Sequence, residues 1–403
     1  WASGGPAKVA VVSSALCGMV SGSSVGNTVT TGSVTIPMMK KTGYPGEFAG
    51  AVEAAASTGG QIMPPIMGAA AFIMAEMTGF EYSKIIVRAI LPAFLYFLGI
   101  FLGVHFKAKK LGLKGLPREE LPKWGKLLPK IYLLLPLVLL VYMIVSGQTM
   151  AKSAIYATIA AIAVSLINKD DRMTPTKFVN GLENGGKNCI SIGIACGIAG
   201  IISVCITMTG LGGKLITYVV SLSNGHLIIA LFLTMICCIV LGMGVPTTAN
   251  YIIMASTCAP ILINGMGMHV LAANMFVFYF GIVADITPPV ALAAYAGSAI
   301  AKAPPMKTAF NATRLAIAAF IIPYIFAFNN AMIFVGDDVT VWSVASITIS
   351  ATLGMLSIAS GLMGYLIHDL KWISRIALIA GGLLMIIPGT VSDLAGFAVL
   401  AAI

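Results

Sequence analysis

The sequence predicts an all-α polytopic membrane protein with two inverted repeats, each containing a re-entrant helical hairpin and a broken transmembrane helix. Three observations support this fold class: few charges, long apolar runs without alternation, and two segments with matching interruptions. Only 9% of the 403 residues are charged and 58% are hydrophobic, whereas soluble domains carry about 25% charged residues. The chain therefore lacks enough polar side chains to coat a water-exposed surface, which excludes a cytosolic enzyme, a secreted disulfide scaffold and a disordered linker.

The apolar runs are helical, because the strands of a transmembrane barrel alternate apolar and polar residues and runs such as 131–145 and 153–167 do not. At about 20 residues per span, the length allows roughly ten or eleven spans. The runs lie at residues 7–39, 47–79, 84–106, 128–147, 150–168, 188–210, 226–263, 268–301, 311–333, 341–367 and 374–400.

Two of these runs, 7–39 and 226–263, are too long for one span. Each is interrupted near its middle by small and polar residues, at 21–27 in the first run and at 244–250 in the second. A polar loop inside an apolar run must be shielded from lipid. Each run is therefore predicted to be a hairpin that enters and leaves the membrane on one side.

The basic residues predict the topology, since Lys and Arg accumulate in cytoplasmic loops. When both ends of the first hairpin are placed in the cytoplasm, 20 of the 24 basic residues become cytoplasmic. The second hairpin then hangs from the opposite membrane face. The exceptions are Lys84, Arg88, Lys152 and Lys214.

The two segments also share the spacing of their asparagine and proline residues. Asn27 precedes Pro37 by ten residues, and Asn250 precedes Pro260 by ten. Proline pairs follow at 64–65 and 288–289. Inverted repeats with interrupted helices at corresponding positions are typical of secondary transporters, whose binding site lies between the repeats.

A helix that breaks inside the membrane frees backbone carbonyls at one end and N–H groups at the other, which suit a hard cation and a carboxylate. The predicted breaks are 58–65 and 285–289, and the second contains Asp285. Simpler interpretations stay open: the prolines as plain kinks, Gly18, Gly22 and Gly26 as a packing face, and Asp285 as a protonated structural residue. Glu53 is at least as compatible with a polar helix contact as with transport.

The remaining chemistry-bearing residues indicate no cofactor. The seven cysteines form no CxxC pair, and the four histidines show no zinc spacing, so no transition-metal site is predicted. The net charge of +10 sits in short loops between apolar runs and serves as a topology signal, so no nucleic-acid partner is expected.

At these motifs the sequence resembles the large membrane subunit of the tripartite ATP-independent periplasmic (TRAP) transporters, and within them the fused permeases that work with TAXI-type binding proteins. The resemblance covers about residues 5–335. It rests on residues 13–32 (SSALCGMVSGSSVGNTVTTG), 37–43 (PMMKKTG), 47–76 (EFAGAVEAAASTGGQIMPPIMGAAAFIMAE), 242–250 (GMGVPTTAN) and 285–289 (DITPP).

The resemblance implies an elevator-type, sodium-coupled permease in the cytoplasmic (inner) membrane of a bacterium or archaeon. It would import a small organic anion delivered by a TAXI-type periplasmic solute-binding protein. The sodium ligands carried over to this chain are Ser21, Ser23, Asn27, Thr58, Gly59, Gly60, Pro64, Gly242, Pro246, Thr247, Asp285 and Thr287. The substrate ligands carried over are Ser24, Thr248 and Asn250.

The expected organisation has four parts. Residues 5–79 form the first hairpin and broken helix of a transport domain, and 80–187 form scaffold helices with a basic connector. Residues 188–335 form the second repeat, with hairpin 226–263 and broken helix 268–301, and 336–403 form an appended helix pair. The family carries further N-terminal helices, so the chain is expected to be part of a longer protein whose small-subunit-like helices lie upstream.

Three other functions are alternatives to coupled transport by a permease with a binding protein. An intramembrane protease requires two facing acids, or a GxSG serine with a histidine, and the chain offers GxxSG at 18–22 and no obvious partner for Asp285. A passive channel also uses re-entrant loops, but two opposed hairpins with two broken helices favour alternating access. Within transporters, a relative that works without a binding protein is the alternative.

Overall fold

The structure, a computed structural model, describes residues 3–115, 125, 128–168, 172–336, 339–386 and 389–403. Across these ranges the regular structure is helical, apart from an isolated bridge between Tyr365 and Asp369. This confirms the predicted all-α class. The chain divides into two compact units, one made of Trp1–Leu116 with Cys196–Ile403 and the other of Pro117–Ala195.

The run 7–39 is two helices, α1 (Gly5–Ser21) and α2 (Ser24–Lys41). Helix α1 ends at Gly22, whose φ of 63° is a left-handed conformation that glycine adopts without steric cost. The side chain of Ser23 then caps α2 by accepting the Gly26 N–H at 3.1 Å. The Asn27 side chain donates to the Ser14 carbonyl at 3.0 Å, so the two helices run antiparallel as a hairpin.

The run 47–79 is also two helices, α3 (Gly46–Gly60) and α4 (Gly68–Thr78). Helix α3 is buried along its whole length from Phe48 to Gly60. The chain leaves it in a turn ahead of Pro64 and Pro65, whose missing N–H groups prevent the helix from continuing. The hydroxyl of Tyr82, at the start of α5 (Tyr82–Lys110), donates to the Pro65 carbonyl at 2.9 Å and holds the break.

The unit Pro117–Ala195 contains α6 (Leu135–Val145), α7 (Met150–Ile167) and the beginning of α8 (Pro175–Met208). Helix α8 begins before the predicted run 188–210. It is followed by α9 (Leu211–Ser223), a helix that the sequence analysis did not predict. The axis of the C-terminal part of α8, Cys196–Ile206, differs by 69° from that of α9.

The second half of the large unit repeats the order of elements seen in the first. The run 226–263 contains α10 (Leu227–Gly242) and α11 (Thr247–Thr257). The run 268–301 contains α12 (Val270–Val283), a short 3-10 turn (Ala284–Ile286) and α13 (Leu292–Ala301). Two further helices, α14 (Pro305–Leu315) and α15 (Ile317–Phe328), follow directly.

The C-terminal segment differs from the expected helix pair, because the structure has three helices there. They are α16 (Val341–Met363), α17 (Trp372–Leu384) and α18 (Thr390–Ala402). The predicted run 374–400 is thus two helices. The Ser350 hydroxyl lies 2.6 Å from the Met385 carbonyl oxygen and 2.5 Å from the Asp393 carboxylate and can donate to either, so it contacts both the end of α17 and the start of α18.

Within the described ranges, five helical stretches are long and apolar enough to cross a membrane, or six if the bent pair α8–α9 counts as one span. The stretches are Tyr82–Lys110, Leu128–Val145, Met150–Ile167, Pro305–Phe328 and Val341–Met363. The hairpin and broken-helix segments are not among them, since every half except α2 has fewer than 18 residues and α2, with 18, is not apolar enough.

Candidate functional site

The tip of the first hairpin meets the break of the second half through one hydrogen bond. The Ser24 hydroxyl, at the start of α2, donates to the Asp285 carboxylate at 2.5 Å. Ser24 is 2% exposed and Asp285 is 8% exposed. A carboxylate at this depth is costly without a partner, so this contact from 261 residues away supplies the polar partner that Asp285 requires.

The bond joins two residues that the resemblance assigns to different roles. Ser24 was carried over as a substrate ligand, and Asp285 as a ligand of the sodium site around residues 242–248. In the structure the two side chains touch directly. One residue pair therefore connects the first tip with the second break.

The first tip is anchored to α3 through Asn27. Its amide nitrogen donates to the Ser14 carbonyl at 3.0 Å and to the Ser57 hydroxyl at 2.9 Å. The backbones of Gly18 and Gly60 are in close contact, since a Cβ on Gly60 would lie 2.5 Å from the Gly18 Cα. Because α1 and α3 both end here, their partially negative C-terminal ends converge, which favours a cation.

The first break contains buried polar atoms without a protein partner. The Thr58 hydroxyl and both amide atoms of Gln61 form no hydrogen bond with any described residue, although both side chains are fully buried. Buried polar groups of native proteins almost always have partners, so these atoms are available to an ion, a water or a substrate. Sequence reasoning placed Gln61 in the break without giving it a role; its position between two glycines and two prolines was the available signal.

The second half repeats the contacts of the first. The Asn250 amide nitrogen donates to the Gly281 carbonyl at 3.0 Å, and a Cβ on Gly242 would lie 3.0 Å from the Ala284 Cβ. The pair Gly242 and Ala284 is separated by 42 residues along the chain, as is the pair at 18 and 60. The side-chain oxygen of Asn250, Oδ1, is buried and bonds to no described residue, so it can accept a hydrogen bond or coordinate a cation.

Three other predicted sodium ligands make contacts with neighbouring protein groups. The exposed Ser21 hydroxyl makes a long bond to the Gly18 carbonyl at 3.4 Å. The Thr287 hydroxyl donates to the Val283 carbonyl at 2.6 Å. Gly59 packs under an aromatic ring, since a Cβ there would lie 2.0 Å from the Tyr96 Cε1.

The rest of the predicted set lies at helix ends. Pro246 is the N-terminal capping position of α11, and Thr247 and Thr248 are half-buried in its first turn. Pro64 is half-buried and is joined to Pro65 by a cis peptide bond, as Pro288 is to Pro289.

A buried carboxyl lies beside the first tip. Glu53 of α3 is fully buried and accepts hydrogen bonds from the hydroxyls of Ser14, Thr31 and Thr35, with Ser57 at 3.4 Å. These donors come from α1, α2 and α3 itself, so Glu53 makes the polar helix contact that the sequence left open. Ser57 also receives the Asn27 bond, which links this cluster to the tip.

Many metal sites use histidine, cysteine and acidic side chains as their ligands. In the part of the chain that the structure describes, no group of three His, Cys, Asp or Glu side chains is close enough to share a metal ion. The buried oxygens described above are hydroxyls, amides and two separate carboxyls, which is the ligand chemistry of hard cations.

Comparison with known proteins gives the family. Residues 1–337 match the family model described as "Tripartite ATP-independent periplasmic transporter, DctM component". Over 307 residues the chain is 24% identical to the C4-dicarboxylate TRAP transporter large permease protein DctM of Pseudomonas aeruginosa, covering 75% of this chain and 70% of that protein.

The chain is also similar to two further proteins. The chain is 27% identical over 308 residues to the uncharacterized protein y4mL of Sinorhizobium fredii, covering 75% and 71% of the two chains. It is 29% identical over 128 residues to the C4-dicarboxylate TRAP transporter large permease protein DctM of Vibrio cholerae, covering 32% and 27%. With its family match, apolar helices and two broken-helix halves, the chain belongs to the DctM-component family of the tripartite ATP-independent periplasmic transporters and is a multi-pass membrane transport protein, not an enzyme.

Proposed function

We propose that this chain is the permease of a sodium-coupled importer that moves a small organic anion by an elevator mechanism. The bond between Ser24 and Asp285 is the single observation that carries the proposal. It brings an acidic side chain from one half against the polar tip of the other, where an ion bound between them would hold both halves together.

The oxygen atoms at this bond and in the first break fit sodium. The Asp285 and Ser24 side chains offer hard ligands, as do Thr58 and Gln61, which bond to no described residue. The ends of α1 and α3 add negative dipoles. The proposed ligands near the first tip are Ser21, Ser23, Asn27, Thr58, Gly59, Gly60 and Pro64. Those near the second tip are Gly242, Pro246, Thr247, Asp285 and Thr287.

The substrate is proposed to be a carboxylate held by Ser24, Thr248 and Asn250. Helices α2 and α11 begin at the two tips, and helix N-termini bind anions through their free N–H groups. The curated relatives with a named substrate are C4-dicarboxylate permeases, so a C4-dicarboxylate is the first compound to test.

The proposed setting follows the family. The permease would lie in the cytoplasmic membrane of a bacterium or archaeon and receive its substrate from a periplasmic solute-binding protein of the TAXI type. Small-subunit-like helices would lie upstream in the parent protein. Transport without any binding protein is the alternative that the same experiment separates.

The experiment measures uptake of radiolabelled succinate into proteoliposomes that contain the parent permease, with and without its binding protein. An inward sodium gradient should drive accumulation, and collapsing it with a sodium ionophore should abolish accumulation. Accumulation that persists without a gradient of sodium or another ion contradicts the coupling proposal. Accumulation that does not require the binding protein supports the alternative. Uptake of other carboxylates but not succinate would change only the substrate.

A further inference from the structure

An apolar groove with a basic end lies on the large unit. Helices α1 and α5 form its walls with Val12, Leu16, Phe94 and Phe97, and Met63 of the first break also lines it. The groove has a volume of about 240 Å³ and only apolar lining side chains. Val12 and Phe94 are each 54% exposed, so the groove is open along its side.

Positive charge gathers beside the groove, near Phe101. The Lys8 ammonium lies 3.0 Å from His105 Nδ1 and 5.1 Å from the centre of the Phe101 ring, which also lines the groove. Lys109 lies close enough to act electrostatically on both Lys8 and His105. Among the described residues, no carboxylate forms an ion pair with Lys8 or Lys109. Within the described ranges, the basic end therefore presents positive charge that no carboxylate pairs with.

The basic end and the apolar groove follow one another along both α1 and α5. Lys8 and Val12 are one turn apart on α1, and Leu16 follows after another turn. On α5, eleven residues separate Phe94 from His105, which is about 16 Å of helix. One leaflet of the hydrocarbon core is about 15 Å thick, so the groove runs the depth of one leaflet below a basic end.

We propose that this groove binds an anionic phospholipid, with the phosphate at Lys8, His105 and Lys109 and one acyl chain against Phe97 and its neighbours. The charge complementarity selects this occupant. A zwitterionic lipid also offers a phosphate, but it brings its own cationic headgroup next to the ammonium groups, and a free anion would leave the groove empty. The volume is smaller than the roughly 300–1,000 Å³ of drug-sized pockets, which suits one chain and is too small for a helix about 10 Å across.

The topology predicted from the basic residues places Lys8 and the C-terminal end of α5 on the cytoplasmic side, where anionic lipids attract basic residues. The lipid would then contact the first break directly, because Met63 belongs to both the break and the groove. The lipid composition of the membrane would in this way affect the proposed transport site, although the lipid does not contact the polar ligands of that site. The binding itself does not depend on the proposed sodium coupling.

Native mass spectrometry of the purified protein tests the proposal with dioleoyl phosphatidylglycerol and dioleoyl phosphatidylcholine as probes. The unmodified protein should retain phosphatidylglycerol at least about five-fold better than phosphatidylcholine, and Lys8→Gln should lower phosphatidylglycerol binding about five-fold. Lys41→Gln, the matched control, removes a positive charge on the same predicted membrane side at an exposed residue outside the groove and should change nothing.

The apolar part has its own pair of variants. Val12→Trp fills the groove and should lower the binding of both lipids, whereas Val9→Trp on the exposed surface outside the groove should lower neither. Equal binding of the two lipids by the unmodified protein overturns the proposal. So does a loss that Lys8→Gln and Lys41→Gln share, or unchanged binding in Val12→Trp.

A measurement on the unmodified chain covers the case in which a variant does not fold. Phosphatidylglycerol carrying a photoreactive diazirine in its acyl chain should label peptides that contain residues 11–16 or 94–101. Labelling confined to other peptides, as expected if a protein segment fills the groove, overturns the proposal.

Discussion

The contact between Ser24 and Asp285 predicts how sodium activation responds to one missing charge. Asp285→Asn keeps the shape of the side chain and removes its negative charge. A carboxylate 4 Å from a monovalent cation, at an effective dielectric constant of about 20, contributes about 4 kcal/mol. Losing it should raise the sodium concentration for half-maximal uptake by up to about a thousand-fold. Ser24→Ala removes one hydrogen bond to a charged group, worth about 1.5–3 kcal/mol, and should have a smaller effect of about ten-fold or more.

The assay measures initial succinate uptake into proteoliposomes across a range of sodium concentrations. Asp285→Glu is the control that retains the charge. A second readout follows the apparent melting temperature of the purified protein as sodium is added, because an ion that binds only the folded state raises it. Sodium activation and sodium-dependent melting that are the same in Asp285→Asn and in the unmodified protein would refute the reasoning.

Three further predictions concern stability, each measured as thermal or denaturant unfolding of the purified protein. Glu53→Ala leaves its buried hydroxyl donors without their acceptor and should lower the free energy of unfolding by about 3 kcal/mol, whereas Glu53→Gln keeps an acceptor and should cost less; equal losses would contradict this. Gly60→Ala forces a Cβ to within 2.5 Å of the Gly18 backbone and should cost about 1–3 kcal/mol, while Gly185→Ala, with nothing within 4 Å, should cost nothing; equal effects would refute the packing argument. Burial, and then the nearby Arg88 charge, lower the pKa of His269 from its ordinary value of 6.5. Its neutral ring caps α12 by accepting the Leu271 N–H. Because the unfolded chain binds a proton more readily, the melting temperature should fall as the pH drops below about 6.5 towards the lowered pKa. His269→Asn, which keeps a capping acceptor, should remove that dependence; an unchanged pH profile would contradict the assignment.

The helix breaks could be predicted from the sequence because their causes are local. Pro64 and Pro65 lack backbone N–H groups, and Gly22 adopts a left-handed conformation at no steric cost, so a helix ends there in almost any tertiary setting. The three C-terminal helices were expected as two. No pattern in the apolar run 374–400 indicates that it forms two helices whose facing ends both contact the Ser350 hydroxyl.

The candidate site was only partly predictable. The sequence identified Asp285 as a carboxyl in need of a partner, since a lone acid in an apolar helix is costly. It did not identify the partner, because 261 residues separate Ser24 from Asp285 and no local pattern reports on a contact of that range. Gln61 was missed for a related reason, since its unpaired state depends on which atoms surround it.

By itself, the sequence determined that this protein lies in a membrane, that it is helical, and that its helices break at two matching positions. Composition and backbone chemistry are enough for that, because few charges, prolines and glycines act through solvation and local geometry. Only the tertiary structure decided which tip faces which break, which polar atoms are left without partners, and that a basic end and an apolar groove lie on the same two helices. Those features depend on how distant helices pack, and packing is a property of the whole chain.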